Sequence, residues 1–431
     1  MKLFKNHFSG KVRKAVSASM VAVMTASVLS GCGGFDNPLS KDSKKEETTS
    51  EETATSTEAK GFDETSEEVQ KKTKTIEALI NQYYYFDVDD EKREESYYDG
   101  LLDGLDDPYS VYYTESEYQK LIEDDKGTFS GIGATVSQNA ETGFTYVVKP
   151  LKGSPAEAAG LLPQDVIVKV DDLEITADMD LDFVVDHIRG EEGTDVTLTI
   201  AREGEGNYLY ITITRATITN TTVAYEMLDD NVGYIEVEQF IENTPELFEE
   251  AVDDLQNQGA QALVIDLRNN PGGLLDSVID MVDYIIPDDA LADGSDTPGL
   301  LLQTKDKDEN VLEEFKCSDG HSVDLPMAIL VNGDSASASE IFSGCMRDYG
   351  AAKLVGNTTY GKGIVQSVIP LSDGSAVKLT IAKYFLPSGD DIHKKGIKPD
   401  VEVDLDPELR TLVTIPHEDD NQLRQALKLL D

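Results

Sequence analysis

The spacing of apolar positions changes along the chain, and each change marks a different kind of segment. An apolar run from 15 to 29, rich in Ser and Ala, is too short for a comfortable membrane span. Residues 33–60, GGFDNPLSKDSKKEETTSEETATSTEAK, hold one aromatic and almost no aliphatic side chains. They cannot bury enough surface to offset chain entropy and read as a flexible tether. From about 65 the period becomes helical: Val69, Ile76, Leu79, Ile80 and Tyr83 share one face, with Ser66 placed to cap it. Tyr97, Tyr98, Leu101, Leu102 and Leu105 continue this pattern, so 63–125 is expected to be a helical region serving packing or a dimer contact, with nothing catalytic in it.

From about 127 to 215 the chain reads as short strands, at 144–148, 165–170 and 196–202, with a short helix at 154–160 and another around 179–189. Beyond 218 the pattern is α/β. A strand at 232–237 precedes an amphipathic helix at 245–258 carrying Leu247, Phe248, Val252 and Leu255. A buried strand at 261–267 turns through Arg268-Asn269-Asn270-Pro271-Gly272-Gly273 into a helix ending near 286. A buried strand at 327–331, a break at Asn332-Gly333-Asp334, a helix at 337–349 and three strand runs within 353–386 follow. Such β-turn-α repeats imply helices packed on a mixed sheet, with a ligand site at the strand C-termini.

Charge narrows the function classes. Lys+Arg 37 against Asp+Glu 83 gives a formal net charge of −46, and a polyanion repels nucleic acid. Three Cys, at 32, 317 and 345, cannot form a disulfide scaffold. Lys2, Lys5, Lys11, Arg13 and Lys14 precede the first apolar run, which ends in Leu29-Ser30-Gly31-Cys32. That ending resembles the lipobox of bacterial lipoproteins. The resemblance implies a signal peptide over 1–31, lipidation of Cys32, a disordered tether over 32–62 and an extracytoplasmic location on the membrane. Removing 1–31 takes away five basic and no acidic residues, so −46 becomes −51.

Three segments place small residues at strand ends. In Ser335-Ala336-Ser337-Ala338-Ser339, a Ser at a strand-to-helix junction is exposed to developing negative charge that the helix N-terminus favours. The same serines could simply cap the helix, and composition does not choose among them. Lys362 in Thr359-Tyr360-Gly361-Lys362-Gly363 is flanked by Gly and followed by an apolar strand, so it stands out as a candidate base. The amides of Gly272 and Gly273 open a helix and could form part of an oxyanion hole, or merely a tight turn. His187, His321, His393 and His417 are expected to be structural or surface residues. No His, Cys and Asp cluster shows metal-ligand spacing, so neither metal nor cofactor is expected. Cys345 reads as a small buried hydrophobe, and Cys317 has no evident role.

SPAEAAGLLPQDVIVKVDD, with Gly131-Ile132-Gly133 ahead of it, resembles PDZ domains of bacterial proteases, and places one at 126–217. Pro163-Gln164-Asp165 replaces the usual Pro-Gly-Asp turn. On that resemblance Gly131, Ile132 and Gly133 form the carboxylate loop for a peptide bound as an added strand. NGDSASASEIFSG, TYGKGIVQS and DLRNNPGG, in this order of helical segment, PDZ and core over 68–400, resemble the carboxyl-terminal processing peptidases, also called tail-specific proteases. The family implies a peptidase core at 218–400 with crotonase- and Clp-protease-like βαβ repeats, leaving 401–431 as a tail. It implies Ser337 as nucleophile, Lys362 as general base, Gln366 orienting that Lys, and oxyanion donors at Ala338 and one of Gly272 or Gly273. Partners are then protein or peptide substrates held by their C-termini, the membrane through a lipid, and a homodimer.

The implied chemistry has a physical requirement. An ordinary lysine with a pKa near 10.4 is neutral in only about one molecule in 2,500 at pH 7. Desolvation must therefore lower it, against the pull of an acidic protein, and Lys362 is expected to lie in a pocket with no nearby carboxylate. The rival reading is a catalytically silent peptide-binding lipoprotein, which has no need of Ser337, Lys362 and Gln366 together. Acyl-CoA chemistry on a similar core is disfavoured by export and by the PDZ.

Overall fold

The structure is a computed structural model that describes residues 63–139, 142–410, 412 and 415–430. The expected signal peptide, Cys32 and the tether lie outside the described residues. Two units are present, divided after Asp87. In the first, α1 (Glu67–Tyr83) is capped by Ser66 as expected, its hydroxyl accepting from Val69 N at 3.4 Å, and buries none of its residues. Among the described residues no helix is long and apolar enough to cross a membrane.

The second unit opens with α2 (Asp90–Asp103), β1 (Val111–Tyr113) and α3 (Glu115–Lys126), the last closed by a Thr114/Glu117 capping box. A small β-rich body follows. Its elements are β2 (Thr128–Gly131), β3 (Ala134–Gln138), β4 (Thr145–Pro150), α4 (Pro155–Ala158), β5 (Val166–Val170), β6 (Leu173–Glu174), α5 (Leu181–Ile188), β7 (Asp195–Ala201), β8 (Leu209–Thr214) and β9 (Ala216–Thr219). The sheet runs β3-β4-β5-β7-β8, with β2 pairing β9 apart from it. Its own core gathers Val147, Ile167, Val184, Val196, Leu198 and Ile200. β3 is an edge strand, so one row of its backbone groups is left open to pairing.

The larger body comprises β10 (Val223–Met227), β11 (Val232–Val237), α6 (Thr244–Gln258), β12 (Ala262–Asp266), α7 (Leu275–Ile285), β13 (Leu300–Lys305), β14 (Val311–Lys316), β15 (Met327–Val331), α8 (Ala338–Asp348), β16 (Ala352–Gly356), β17 (Ile364–Pro370), β18 (Ala376–Phe385), β19 (Val401–Glu402) and α9 (Asn421–Leu430). The main sheet is ordered β10-β11-β12-β15-β16-β19, antiparallel at β10 and parallel from there on. All five residues of β12 and of β15 are buried, which is why both read as unbroken apolar runs. Phe248 of α6, Val278 of α7 and Phe342 of α8 pack on one face.

The opposite face is covered by the segment expected to be a tail: Leu423 and Ala426 of α9 join Tyr234, Val264, Leu330 and Val355 in a second apolar cluster. Its helical spacing of Leu423, Ala426, Leu427 and Leu430 is visible in the sequence once the helix is known. A second sheet, β1-β18-β13-β14 with β17 on β18, carries the strand after Lys362. β1 therefore belongs to the larger body rather than to a separate helical region. Leu423 is 2% exposed, so Leu423→Ala should lower unfolding free energy by about 2–5 kcal/mol, read as a shift in the urea midpoint.

Candidate active site

The three serines of the SASAS string have different fates. Ser335 Oγ donates to Leu267 O at 2.7 Å, and Ser339 Oγ to Asn270 O at 2.9 Å. Both are fully buried and tie the α8 entry to the 267–270 turn. Among the described residues the Ser337 hydroxyl donates to nothing, so the structure separates it from neighbours that the sequence leaves equivalent. Ser337 sits at φ 54° and ψ −114°, a conformation costing a non-glycine residue about 1–3 kcal/mol. It is held there between β15 and α8, with the Glu340 side chain accepting its backbone amide.

Asn270 organises the facing turn. Its side-chain amide donates to Val237 O at 2.7 Å, and its Oδ1 accepts Gly272 N at 2.8 Å. Phe240 N then donates to Gly272 O at 3.0 Å and Leu274 N to Phe240 O at 2.7 Å. A Cβ on Gly272 (φ 102°) would lie 2.8 Å from Ser337 Cβ and 2.9 Å from Ala338 N; one on Gly273 (φ 148°) would lie 1.9 Å from Phe240 O. Both positions therefore exclude a side chain. The Gly272 amide is already engaged, whereas those of Gly273 and Ala338 reach no acceptor among the described residues. Behind the turn, Arg268 is clamped by Asp266 at 2.5 Å and by Asp420, from the start of the last helix, at 2.8 Å.

Lys362 is half-buried, and among the described residues its Nζ joins no hydrogen bond or ion pair. It lies 4.5 Å from the centre of the Tyr109 ring. Burial lowers the amine below the ordinary lysine range, and Lys378 pushes the same way. Asp107 and Glu340 pull upward. The expectation of a pocket without carboxylates is thus corrected: two are close enough to act, but neither is paired with Lys362 and desolvation prevails. Gln366 follows on β17, where its Nε2 donates to Thr380 Oγ1 at 3.3 Å; no bond joins it to the Lys362 amine.

Two buried groups missed in the sequence join Ser337 and Lys362. Glu340, fully buried, accepts Ser337 N at 3.0 Å and Lys362 N at 2.8 Å on Oε2, and Thr359 Oγ1 at 2.5 Å and Gly361 N at 2.7 Å on Oε1. Tyr384 donates to Lys362 O at 2.7 Å and Ser337 O at 3.3 Å. Glu340 stands three residues past Ser337, where a Glu signals a helix start, and that was its one visible mark.

Other expected sites fall elsewhere. Gly131 ends β2; Ile132 is buried, its carbonyl accepting Ala156 N at 2.8 Å, and Gly133 (φ 73°) accepts Leu151 N at 2.9 Å. The amides of Ile132 and Gly133 are unengaged among the described residues, beside the open edge of β3. Cys345 is buried and its thiol is pushed well up by burial; Cys317 is pushed up to about 12 by burial, then by Asp283. His187 and His321 bond through Nδ1 to Phe183 O and Tyr284 O. The carboxylates of Asp283, Asp288 and Asp319 come within 4.8 Å of one another, a grouping the sequence spacing did not disclose. Each accepts a backbone amide of 318–321.

A strained serine at a strand-to-helix corner, beside unengaged amides and a half-buried unpaired lysine, is an arrangement suited to serine-type acyl transfer. Residues 231–403 match Peptidase family S41, 146–202 a PDZ domain, and 29–117 the Activating protease CtpB N-terminal domain. The Carboxy-terminal processing protease CtpA of Bacillus subtilis is 38% identical over 326 residues, 76% of this chain and 67% of that one. A CtpA-like serine protease of Staphylococcus epidermidis is 40% identical over 349 residues, 80% and 67%. A solved S41 protease structure from Bacteroides fragilis, 19% identical, covers 82% of this chain and 96% of its own with a TM-score of 0.51, a likeness of fold. The chain belongs to peptidase family S41, among the carboxy-terminal processing serine proteases that carry a PDZ domain.

Glu340→Gln leaves at least one of four donors facing an amide nitrogen. It should cost at least about 2 kcal/mol in thermal or urea unfolding and abolish most peptidase activity.

Proposed function

We propose that this chain is an exported, lipid-anchored endopeptidase that cleaves proteins near their C-termini through a Ser337/Lys362 acyl-enzyme mechanism. The observation that carries the reading is the pairing of one uncommitted hydroxyl, Ser337, with one desolvated and unpaired amine, Lys362, through the same buried carboxylate. Neutral Lys362 takes the Ser337 proton as Oγ attacks the scissile carbonyl. The amides of Ala338 and Gly273 receive the developing oxyanion, because the Gly272 amide is spent on Asn270. Lys362 returns the proton to the leaving amine, and water releases the acyl group. Gln366 orients Lys362 after its amide turns from Thr380.

The PDZ domain takes the substrate C-terminus as a strand on β3, its carboxylate at the amides of Ile132 and Gly133. The lipobox-like ending at Cys32 supports anchoring on the outer face of a membrane. Exposed Ile76, Leu79 and Tyr83 on α1 favour a homodimer.

Casein or a peptide with a free C-terminus should be cut by the wild type and not by Ser337→Ala, as mass spectrometry of the products would show; equal cutting by both refutes the nucleophile. Because burial lowers the Lys362 amine, kcat/KM should rise with pH through a limb lying below the ordinary lysine range and plateau above it. Amidation of the peptide's C-terminus should weaken its binding, measured by calorimetry, without abolishing cleavage at saturating concentration.

A further inference from the structure

The base's pocket has a wall from outside the peptidase domain. β1 lies antiparallel on β18, with Val111 opposite Lys378 and Tyr113 opposite Ala376. Just before it, Ser110 Oγ donates to Asp107 at 2.6 Å and accepts Thr380 N at 3.1 Å, while Tyr109 N donates to Asp107 at 3.1 Å. Tyr109 is thus held from both sides, and its ring face meets Lys362 Nζ at 4.5 Å. Its hydroxyl reaches Tyr360 Oη at 3.4 Å. Nothing in residues 231–403 supplies this contact.

We infer that Tyr109 is a positioning residue for Lys362, its ring face fixing the amine and closing the pocket to water. The inference rests on Lys362 being the general base. The charged and titratable groups around that amine are Asp107 from the same loop, Glu340 from α8, Lys378 and Tyr384 from β18, and Tyr360. The bond to Tyr360, then burial, pushes the Tyr109 phenol up to about 12, so Tyr109 itself stays neutral while Lys362 titrates.

Two effects of the ring oppose each other. Contact with its face favours the ammonium by the equivalent of about 0.5–1.5 pH units. Exclusion of water disfavours it by up to about 3–5 pH units in a fully buried site. Burial is the largest of the influences on the half-buried Lys362 amine, so removing the ring should raise the pH at which the base becomes active.

The test is the pH dependence of kcat/KM on fluorescein-labelled casein, using the full chain. Tyr109→Phe should keep the acid limb in place and the plateau within about twofold. Tyr109→Ala should move the limb up by about one pH unit, with the plateau largely recovered at high pH. Tyr109→Leu keeps water out but loses the ring face, so its limb should move down by about half a unit. A limb unmoved in both Ala and Leu, or a loss uniform over pH, overturns the inference. If the Ala variant does not fold, as judged by circular dichroism, the Leu variant decides alone. An acid limb surviving in the residual rate of Lys362→Ala removes the base itself, whereas a limb lost there but unmoved in the Tyr109 variants removes only the role of Tyr109.

Discussion

The catalytic geometry depends on one buried carboxylate. Glu340 is buried in the interior and joins no ion pair among the described residues, and four hydrogen bonds hold it there. Two of those come from the backbone amides of Ser337 and Lys362. A desolvated carboxylate cannot give up such donors cheaply, so the strain at Ser337 and the placement of Lys362 are maintained by the same energy. That energy has an opposing consequence. The carboxylate that positions Lys362 also stabilises its protonated form, and burial, aided by Lys378, keeps the amine below its ordinary range.

This conflict explains the neighbourhood of the base. Asp107 and Glu340 favour the ammonium, Lys378 opposes it, and an aromatic ring replaces the water that would otherwise hydrate it. Unlike an imidazole, a lysine has no titration near neutral pH of its own, so its chemistry is set by the company it keeps. In this chain that company comes from segments widely separated in sequence.

The parts of the molecule that the sequence disclosed are those governed by short-range pattern. β12 and β15 are unbroken apolar runs because both faces are covered, and α6 shows its stripe because one face is. The motif order placed Ser337 and Lys362, but spacing could not separate Ser337 from Ser335 and Ser339. That choice is made by the carbonyls of Leu267 and Asn270, which arrive from another strand end. The same holds for the two glycine amides, where Asn270 occupies that of Gly272 and leaves that of Gly273. Tyr109 and Tyr360 meet across 251 residues, and no local pattern around Tyr109 points to so distant a partner. The last helix was legible in principle from its apolar spacing and was obscured by its position among acidic residues at the end of the pattern.

The clamp on Arg268 ties the oxyanion turn to a residue 152 positions later. During synthesis the guanidinium and its neighbour Asp266 are in place long before Asp420 arrives. Until then the turn lacks its outer brace and the sheet one of its two coverings. A turn braced in this way gains its outer support only after residue 420 has been made, so its final geometry depends on contacts distant in sequence.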